Sequence, residues 1–332
     1  MLNNKIVLLT GGTGSFGKRF VETVIKNYPK IKKLIIFSRD ELKQYEMAEQ
    51  IDLKKNKFIR FVIGDIRDKH RLKFAFEEVD IVIHAAALKQ VPTAEYNPFE
   101  FIKTNILGAQ NIIDCSLETK VEKVIALSTD KATAPINLYG ATKLCSDKLF
   151  TAANNIVGKR NLKFTIVRYG NVNGSRGSII PYFLKQKKNG LLTITDPSMT
   201  RFSISLDGGI KMVLDAIHDK LAGGEIFVPK IPSYKILDLA KAICPNCQIK
   251  YIGIRPGEKI HEQMITENDS HNTFEGKNNY VILPSHDLKK RNFYMKKKFF
   301  KPVKKGFVYD SRNNPKFLTV MQLKDIIKSF VV

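Results

Sequence analysis

Tyr139 and Lys143 stand four residues apart in Tyr139-Gly140-Ala141-Thr142-Lys143, so on a helix they share one face. An ammonium beside a phenol favours the phenolate. The pair is therefore expected to lower the tyrosine pKa, so that the phenolate takes a proton from an alcohol while hydride leaves its carbon. Eight residues before Tyr139 ends the run Ser128-Thr129-Asp130-Lys131, which sets hydroxyl, carboxyl and amine side by side. Oxidising an alcohol in this way needs a hydride acceptor, and the sequence has a place for one.

That place is Thr10-Gly11-Gly12-Thr13-Gly14-Ser15-Phe16-Gly17-Lys18, which follows a short apolar run from Ile6 to Thr10 and opens a helical pattern near Phe16. Glycines permit the tight turn and the close approach of backbone to a pyrophosphate, whose charge meets the positive end of the helix. The turn assigns Gly11, Thr13, Gly14, Ser15, Phe16 and Gly17 to a dinucleotide. At the end of the second apolar run come Ser38-Arg39-Asp40-Glu41-Leu42-Lys43. A protein that prefers NAD presents a carboxylate to the ribose here; Arg39 instead offers a fork suited to a 2′-phosphate, with Ser38 and Lys43 as added donors, which favours NADP. Asp65 and Ile66 close the third run, where an adenine edge would lie, and Ala85 closes the fourth with a side chain small enough to let the cofactor pass.

These residues need a scaffold, and the first half supplies it. Runs at Ile6 to Thr10, Leu34 to Phe37, Phe58 to Ile63, Ile81 to Ala85, Val124 to Ser128 and Phe164 to Val167 alternate with longer amphipathic segments. This is the rhythm of an α/β fold, a Rossmann doubly wound parallel sheet whose strands are apolar because helices cover both faces. The dinucleotide part is expected over 1–170 plus roughly 204–230. A smaller mixed α/β substrate-binding part is expected over 171–203 and 231–332, with Glu225 to Val228 as one further strand. The polar stretch from Thr266 to Asn279 lacks periodicity and reads as a surface loop.

The chain has 332 residues and a formal net charge of +23. Nine Lys or Arg fall between His286 and Gly306, interleaved with Phe293, Tyr294, Phe299 and Phe300. Such a run could hold nucleic acid, but a solvated charged face is the preferred reading and nucleic acid is not expected as a partner. No stretch is apolar enough to span a membrane, and the N-terminus has no signal-peptide pattern; a cytoplasmic protein is expected. Cys115, Cys145, Cys244 and Cys247 read as incidental, in keeping with a reducing compartment. Cys244-Pro245-Asn246-Cys247 is half of a zinc site with no second pair, so no metal is expected.

With both motifs in hand, the chain resembles the extended short-chain dehydrogenases/reductases, and among them the inverting UDP-N-acetylglucosamine 4,6-dehydratases of pseudaminic acid biosynthesis. The stretches that carry the resemblance are TGGTGSFGKRF from Thr10, SRDELKQ from Ser38, HAAALKQVPTAEYNP from His84, ALSTDKATAPINLYGATKLCSDKLF from Ala126, RYGNVNGSRGSIIP from Arg168, GGEIFVPKIPS from Gly223 and IGIRPGEKIHE from Ile252. The resemblance implies that carbon 4 of the sugar is oxidised to acidify carbon 5, that water leaves across carbons 5 and 6, and that hydride returns at carbon 6. It implies Asp130 as acid and Lys131 as base, beside Thr129, Tyr139 and Lys143. Desolvation is expected to raise the carboxyl pKa and lower the ammonium pKa. Lys89 and Asn171 correspond to family positions on the sugar nucleotide; Lys89, Tyr139, Lys143 and Val172, Asn173, Gly174, Ser175 and Arg176 correspond to positions on the cofactor. Arg255, and more weakly Arg201, suit the substrate diphosphate.

Gln90, Asn173 and Ser203 depart from the family pattern, and Ser311-Arg312-Asn313-Asn314 matches the family's closing substrate loop loosely. His84 and His261 read as structural. A dimer-based assembly, with a hexamer as one form, is implied by the resemblance. Other readings stay open on the residues: a nucleotide-sugar 4-epimerase, which needs Tyr139 but not Asp130-Lys131, a retaining 4,6-dehydratase, since spacing does not show which face of carbon 5 is reprotonated, and a non-catalytic NADP-binding protein with a basic nucleic-acid tail.

Overall fold

The apolar runs of the first half become six parallel strands in the computed structural model, which describes residues 2–175, 177–219, 223–285 and 287–330. They are β1 (Ile6–Thr10), β2 (Lys33–Ser38), β3 (Ile59–Ile63), β4 (Ile81–His84), β5 (Lys123–Thr129) and β6 (Lys163–Tyr169). Alternate residues enter two separate cores: Val7, Leu9, Ile36 and Ile83 pack in one, Leu8, Ile35, Val82 and Val124 in the other. That is why the strands show no polar face in the sequence. The order β3-β2-β1-β4-β5-β6 reverses between β1 and β4, and a crevice opens there at the carboxyl ends of the strands.

The sheet does not stop at β6. Ile226–Pro229 adds a parallel strand, and Asn279–Ile282, Thr273–Glu275 and Lys301–Pro302 follow antiparallel, for ten strands in all. The expected loop from Thr266 to Asn279 is therefore corrected: Asn268–Asn272 is a 3-10 turn and Thr273–Glu275 a strand with Phe274 buried. Three residues are too few to show a period. Strands from the segment 273–302, assigned by sequence to the substrate-binding part, thus extend the dinucleotide sheet.

The basic stretch is anchored rather than free. Tyr294, on the helix Leu288–Lys296, is fully buried against Phe274, Phe293 and Phe300, and the Lys297 ammonium lies 4.6 Å from the Phe293 ring centre and 4.8 Å from that of Tyr294. Lys290 reaches the buried Glu225 at 3.2 Å. Most of the interleaved aromatics are core, not stacking platforms; Phe299 alone of the four is exposed.

A third apolar cluster, including Phe183, Leu192, Tyr234 and Leu239, holds the smaller part, between the helices Ile179–Lys187, Ile236–Ile243 and Val320–Lys328. Here Leu191–Ile194 pairs with Gln248–Tyr251, and Thr200–Ile204 with Ser233–Lys235 and Asn171–Val172. Cys244 and Cys247 are joined as a disulfide, their Cα atoms 5.4 Å apart, which corrects the reading of all four cysteines as incidental. Cys244 ends a helix and the following turn folds Cys247 back onto it. Among the described residues no helix is long and apolar enough to cross a membrane.

Candidate active site

A cleft of roughly 1120 Å³ lies along the carboxyl ends of the strands and is closed by residues of the smaller part. At its β1 end the helix α1 (Ser15–Asn27) starts from Gly14 with no side-chain cap and no acidic residue in its first turn. The positive end of the helix thus faces the cleft with no carboxylate of its own first turn to neutralise it, an arrangement that suits an anion. Gly11 sits at φ 67°, and a Cβ there would lie 2.8 Å from Ala86 Cα. Thr13, Gly14, Ser15 and Phe16 line the cleft beside it; Gly17 packs beneath the turn, against the carbonyl of Gly12.

At the end of β2 the charges are arranged differently from expectation. Asp40 caps the helix α2 (Glu41–Glu49), accepting from the Lys43 amide at 3.0 Å, and also pairs with the Lys43 ammonium. Ser38 Oγ accepts from Gln44 Nε2 at 3.1 Å. Lys43, expected as a phosphate donor, is thus paired with Asp40, while Ser38 is held through its acceptor side; both line the cleft with Arg39 and Asp40. Arg39, half exposed, lies 3.8 Å from Asp65. Glu41 and Leu42 point to solvent on the first turn of α2 and are not brought to the cleft, whereas Asp65, Ile66, Ala85 and Lys89 are.

Tyr139 and Lys143 lie on the helix Leu138–Ala153, whose start is set by Asn137: its Oδ1 accepts from the Gly140 amide at 2.8 Å and its Nδ2 donates to the Gly257 carbonyl at 2.7 Å. Lys143 Nζ donates to the Leu127 carbonyl at 2.8 Å. The expected fall in the tyrosine pKa is not met. Burial strips the phenolate of hydration and pushes Tyr139 up to about 12; Lys131 and a hydrogen bond with Thr129 oppose this. The cation that favours the phenolate is thus Lys131, while burial lowers Lys143 itself. Behind Lys143, Asp147 accepts from Ser128 Oγ at 2.7 Å and Arg168 Nη2 at 3.1 Å.

The floor of the cleft gathers charge from distant segments. Lys131 Nζ lies 3.1 Å from Asp130 Oδ1 and 3.0 Å from Glu262 Oε1. Thr129 Oγ1 donates to Asp130 Oδ1 at 3.0 Å. Arg201, expected to meet a diphosphate, is buried: Nε is 3.7 Å from Glu262, Nη2 is 3.5 Å from Glu258, and Nη1 donates to the carbonyls of Thr200 and Ile260. Burial raises Asp130, as expected. Burial alone would lower Lys131, but Asp130 and Glu262 together outweigh it and raise its pKa, which corrects the expected fall. Burial would likewise raise Glu262, yet Lys131 and Arg201 hold it below the usual carboxylate range. Asp130 Oδ2, Glu258 Oε2, Glu262 Oε2 and Asn171 Oδ1 are buried without a hydrogen-bond partner among the described residues, on side chains that line the cleft. Buried acceptors of this kind await donors, and sugar hydroxyls would supply them.

Arg255 stands exposed at the rim, and Val172 and Ser175 line the wall. Asn173 and Gly174 do not: Asn173 Oδ1 accepts from Ser203 Oγ at 3.0 Å, and Gly174 packs on Phe330. Arg176 lies outside the described residues. Ser311 and Asn314 are buried away from the cleft, with Ser311 Oγ accepting from the Glu262 amide at 2.9 Å. His84 is buried, its Nδ1 2.9 Å from Thr10 Oγ1, and burial depresses its pKa to about 3. Among the described residues no three metal-ligating side chains come together.

Sequence reasoning passed over Glu258, Lys259 and Glu262, although the dense charge of Arg255-Pro256-Gly257-Glu258-Lys259 was a signal. It also passed over Asn105, on the π-helical segment Ile102–Leu107. Asn105 exchanges hydrogen bonds with both backbone groups of Leu88 at 2.9 Å and donates to Thr142 Oγ1 at 3.0 Å, tying the loop after β4 to the Tyr139 helix.

Residues 7–284 match the family described as polysaccharide biosynthesis protein. The chain is 55% identical to the UDP-N-acetylglucosamine 4,6-dehydratase (inverting) of Campylobacter jejuni, over 98% of each chain. It is 41% identical to a UDP-glucose 4-epimerase of Rickettsia bellii, over 98% of this chain and 96% of that one. The X-ray structure of Pen from Bacillus thuringiensis superposes with a TM-score of 0.89 at 36% identity, over 99% of both chains.

Proposed function

Because the chain belongs to the polysaccharide biosynthesis protein family, an extended short-chain dehydrogenase/reductase family, we propose that it is an NADP-dependent inverting dehydratase of UDP-N-acetylglucosamine. The product is UDP-2-acetamido-2,6-dideoxy-beta-L-arabino-hex-4-ulose, as in the first step of pseudaminic acid biosynthesis. The observation that carries this reading is the Asp130-Lys131 pair on the cleft floor beside Tyr139, an acid and a base beyond what alcohol oxidation needs.

The helix start of α1, with no carboxylate in its first turn, the glycine turn and Arg39 fit NADP, which when bound would take hydride from carbon 4 and return it at carbon 6. Tyr139 takes the proton of the carbon 4 hydroxyl, with Lys131 as the cation that favours its phenolate. One proton shift across the 3.1 Å contact turns the Lys131-Asp130 ion pair into a neutral amine and a neutral acid. The amine then removes the proton of carbon 5 and the acid protonates the departing carbon 6 hydroxyl as water; the enolate left once carbon 6 has its hydride takes a solvent-derived proton at carbon 5, on the face opposite the one deprotonated, which sets the inverted configuration. Asn171, with its partnerless buried oxygen, accepts from a sugar hydroxyl, while Arg255 at the rim and Lys89 bind the polar remainder of the substrate. Nucleotide sugars form where nucleoside triphosphates are, so the reaction is placed in the cytoplasm, in a dimer-based assembly.

The test is to incubate the protein with UDP-N-acetylglucosamine and weigh the product by mass spectrometry. Loss of water supports the dehydratase; an isomer of unchanged mass means an epimerase, in which Lys131→Met would spare activity.

A further inference from the structure

Glu262 exchanges no proton in the proposed reaction, yet it is the second carboxylate on Lys131. It is 2% exposed, with Oε1 3.0 Å from Lys131 Nζ. Its backbone is fixed on both sides: the amide donates to Ser311 Oγ at 2.9 Å and the carbonyl accepts from the Ser311 amide at 2.8 Å. Ser311 Oγ in turn lies 2.7 Å from Thr200 Oγ1, next to the Arg201 guanidinium that faces Glu262. Such a scaffold holds one side chain at one distance.

The role assigned to Glu262 rests on the proposed dehydration, in which the carbon 5–hydrogen bond breaks, its electron pair passes into the carbon 4 carbonyl and the proton joins Lys131 Nζ. A neutral amine thereby becomes a cation in a buried site, where uncompensated charge is costly. Asp130 is in its neutral form at that moment, waiting to protonate the leaving hydroxide. Glu262 is then the ionised carboxylate in contact with Lys131. We propose that Glu262 is a positioning residue, which aims the Lys131 amine at carbon 5 and stabilises the ammonium that forms there. A buried carboxylate serves the histidine of a catalytic triad in the same way.

The other groups acting on or felt by Lys131 are Asp130, Arg201, Lys89, Lys259, Tyr139 and Tyr234. Three are cations, so without the charge of Glu262 the proton affinity of Lys131 must fall. This can be read without turnover, because only a neutral amine is acetylated. Acetylation of Lys131 across pH, quantified by peptide mass spectrometry, is expected to show a midpoint about one to three pH units lower in Glu262→Gln than in the wild type. With substrate, kcat is expected to fall by about 10²–10⁴-fold at little-changed KM.

Glu262→Asp keeps the charge but retracts it, and should fall between wild type and Glu262→Gln in both readouts; it alone decides the matter should the glutamine variant not fold. A Lys131 midpoint unchanged in both variants overturns the proposal, as does an aspartate variant no faster than the glutamine one. Glu262 variants that shift Lys131 labelling as described, beside a wild-type protein that forms no dehydrated product, would sink the reaction and keep the Lys131-Glu262 contact.

Discussion

At the β1 end of the cleft, the groups that face a ligand are backbone amides of one contiguous turn; at the floor they are side chains drawn from four separate segments. The turn is set by local conformation, with Gly11 at a φ only glycine adopts easily and no carboxylate in the first helical turn. The floor is set by tertiary packing. Asp130 and Lys131 follow β5, Arg201 comes from the strand Thr200–Ile204, Glu262 precedes the strand Gln263–Ile265, and Tyr139 rides on its own helix. A backbone-built site holds a fixed charge distribution and changes no protonation state, whereas the floor sets two buried carboxylates, Asp130 and Glu262, against one ammonium. Changes in the turn should therefore act on dinucleotide affinity, and changes on the floor on turnover.

Lys131→Met is the hardest test of that division. Turnover is expected to fall by about 10²–10⁴-fold while the dinucleotide still binds, read by steady-state rates and by calorimetric titration of NADP. If affinity collapses with the rate, the two regions are not separable. Gly11→Ala is the converse: a Cβ forced against Ala86 at a positive φ should cost about 1–3 kcal/mol, seen as roughly ten- to hundredfold weaker NADP binding with kcat retained at saturation.

His84 lies between the regions, at the end of β4. Its folded pKa of about 3 is below the ordinary 6.5, so the unfolded chain binds the extra proton. The stability gained by burying neutral imidazole is present above about pH 6.5 and is lost as pH falls toward 3, by about 2 kcal/mol at pH 5. His84→Gln should flatten the melting temperature against pH over this window. The smallest effect is expected far from both regions: Lys297→Gln removes a cation over three aromatic rings and should lower stability by about 0.5–1 kcal/mol with turnover unchanged.

What could be read from sequence obeys the same division. The strands β1, β2, β4, β5 and β6 were visible because both faces are largely buried, and the glycine turn because its residues are contiguous. Glu262 was not, since its meaning arises only when Ser311 and Arg201 bring it to Lys131. The sign of two pKa shifts was lost for a related reason. A sequence places Lys143 beside Tyr139 but cannot tell that Lys143 bonds the Leu127 carbonyl, or that a second carboxylate reaches Lys131. The strand Thr273–Glu275 escaped because three residues carry no period, and the aromatics of the basic stretch misled because Tyr294 points into the core.

The most direct measurement follows UDP-N-acetylglucosamine by NMR in D2O with the purified protein and added NADP. A 4-keto-6-deoxy sugar with deuterium at carbon 5 and inverted configuration there is the result expected if Lys131 and Asp130 act as base and acid. Interconversion with the galacto isomer, with hydrogen kept at carbon 5, would contradict it.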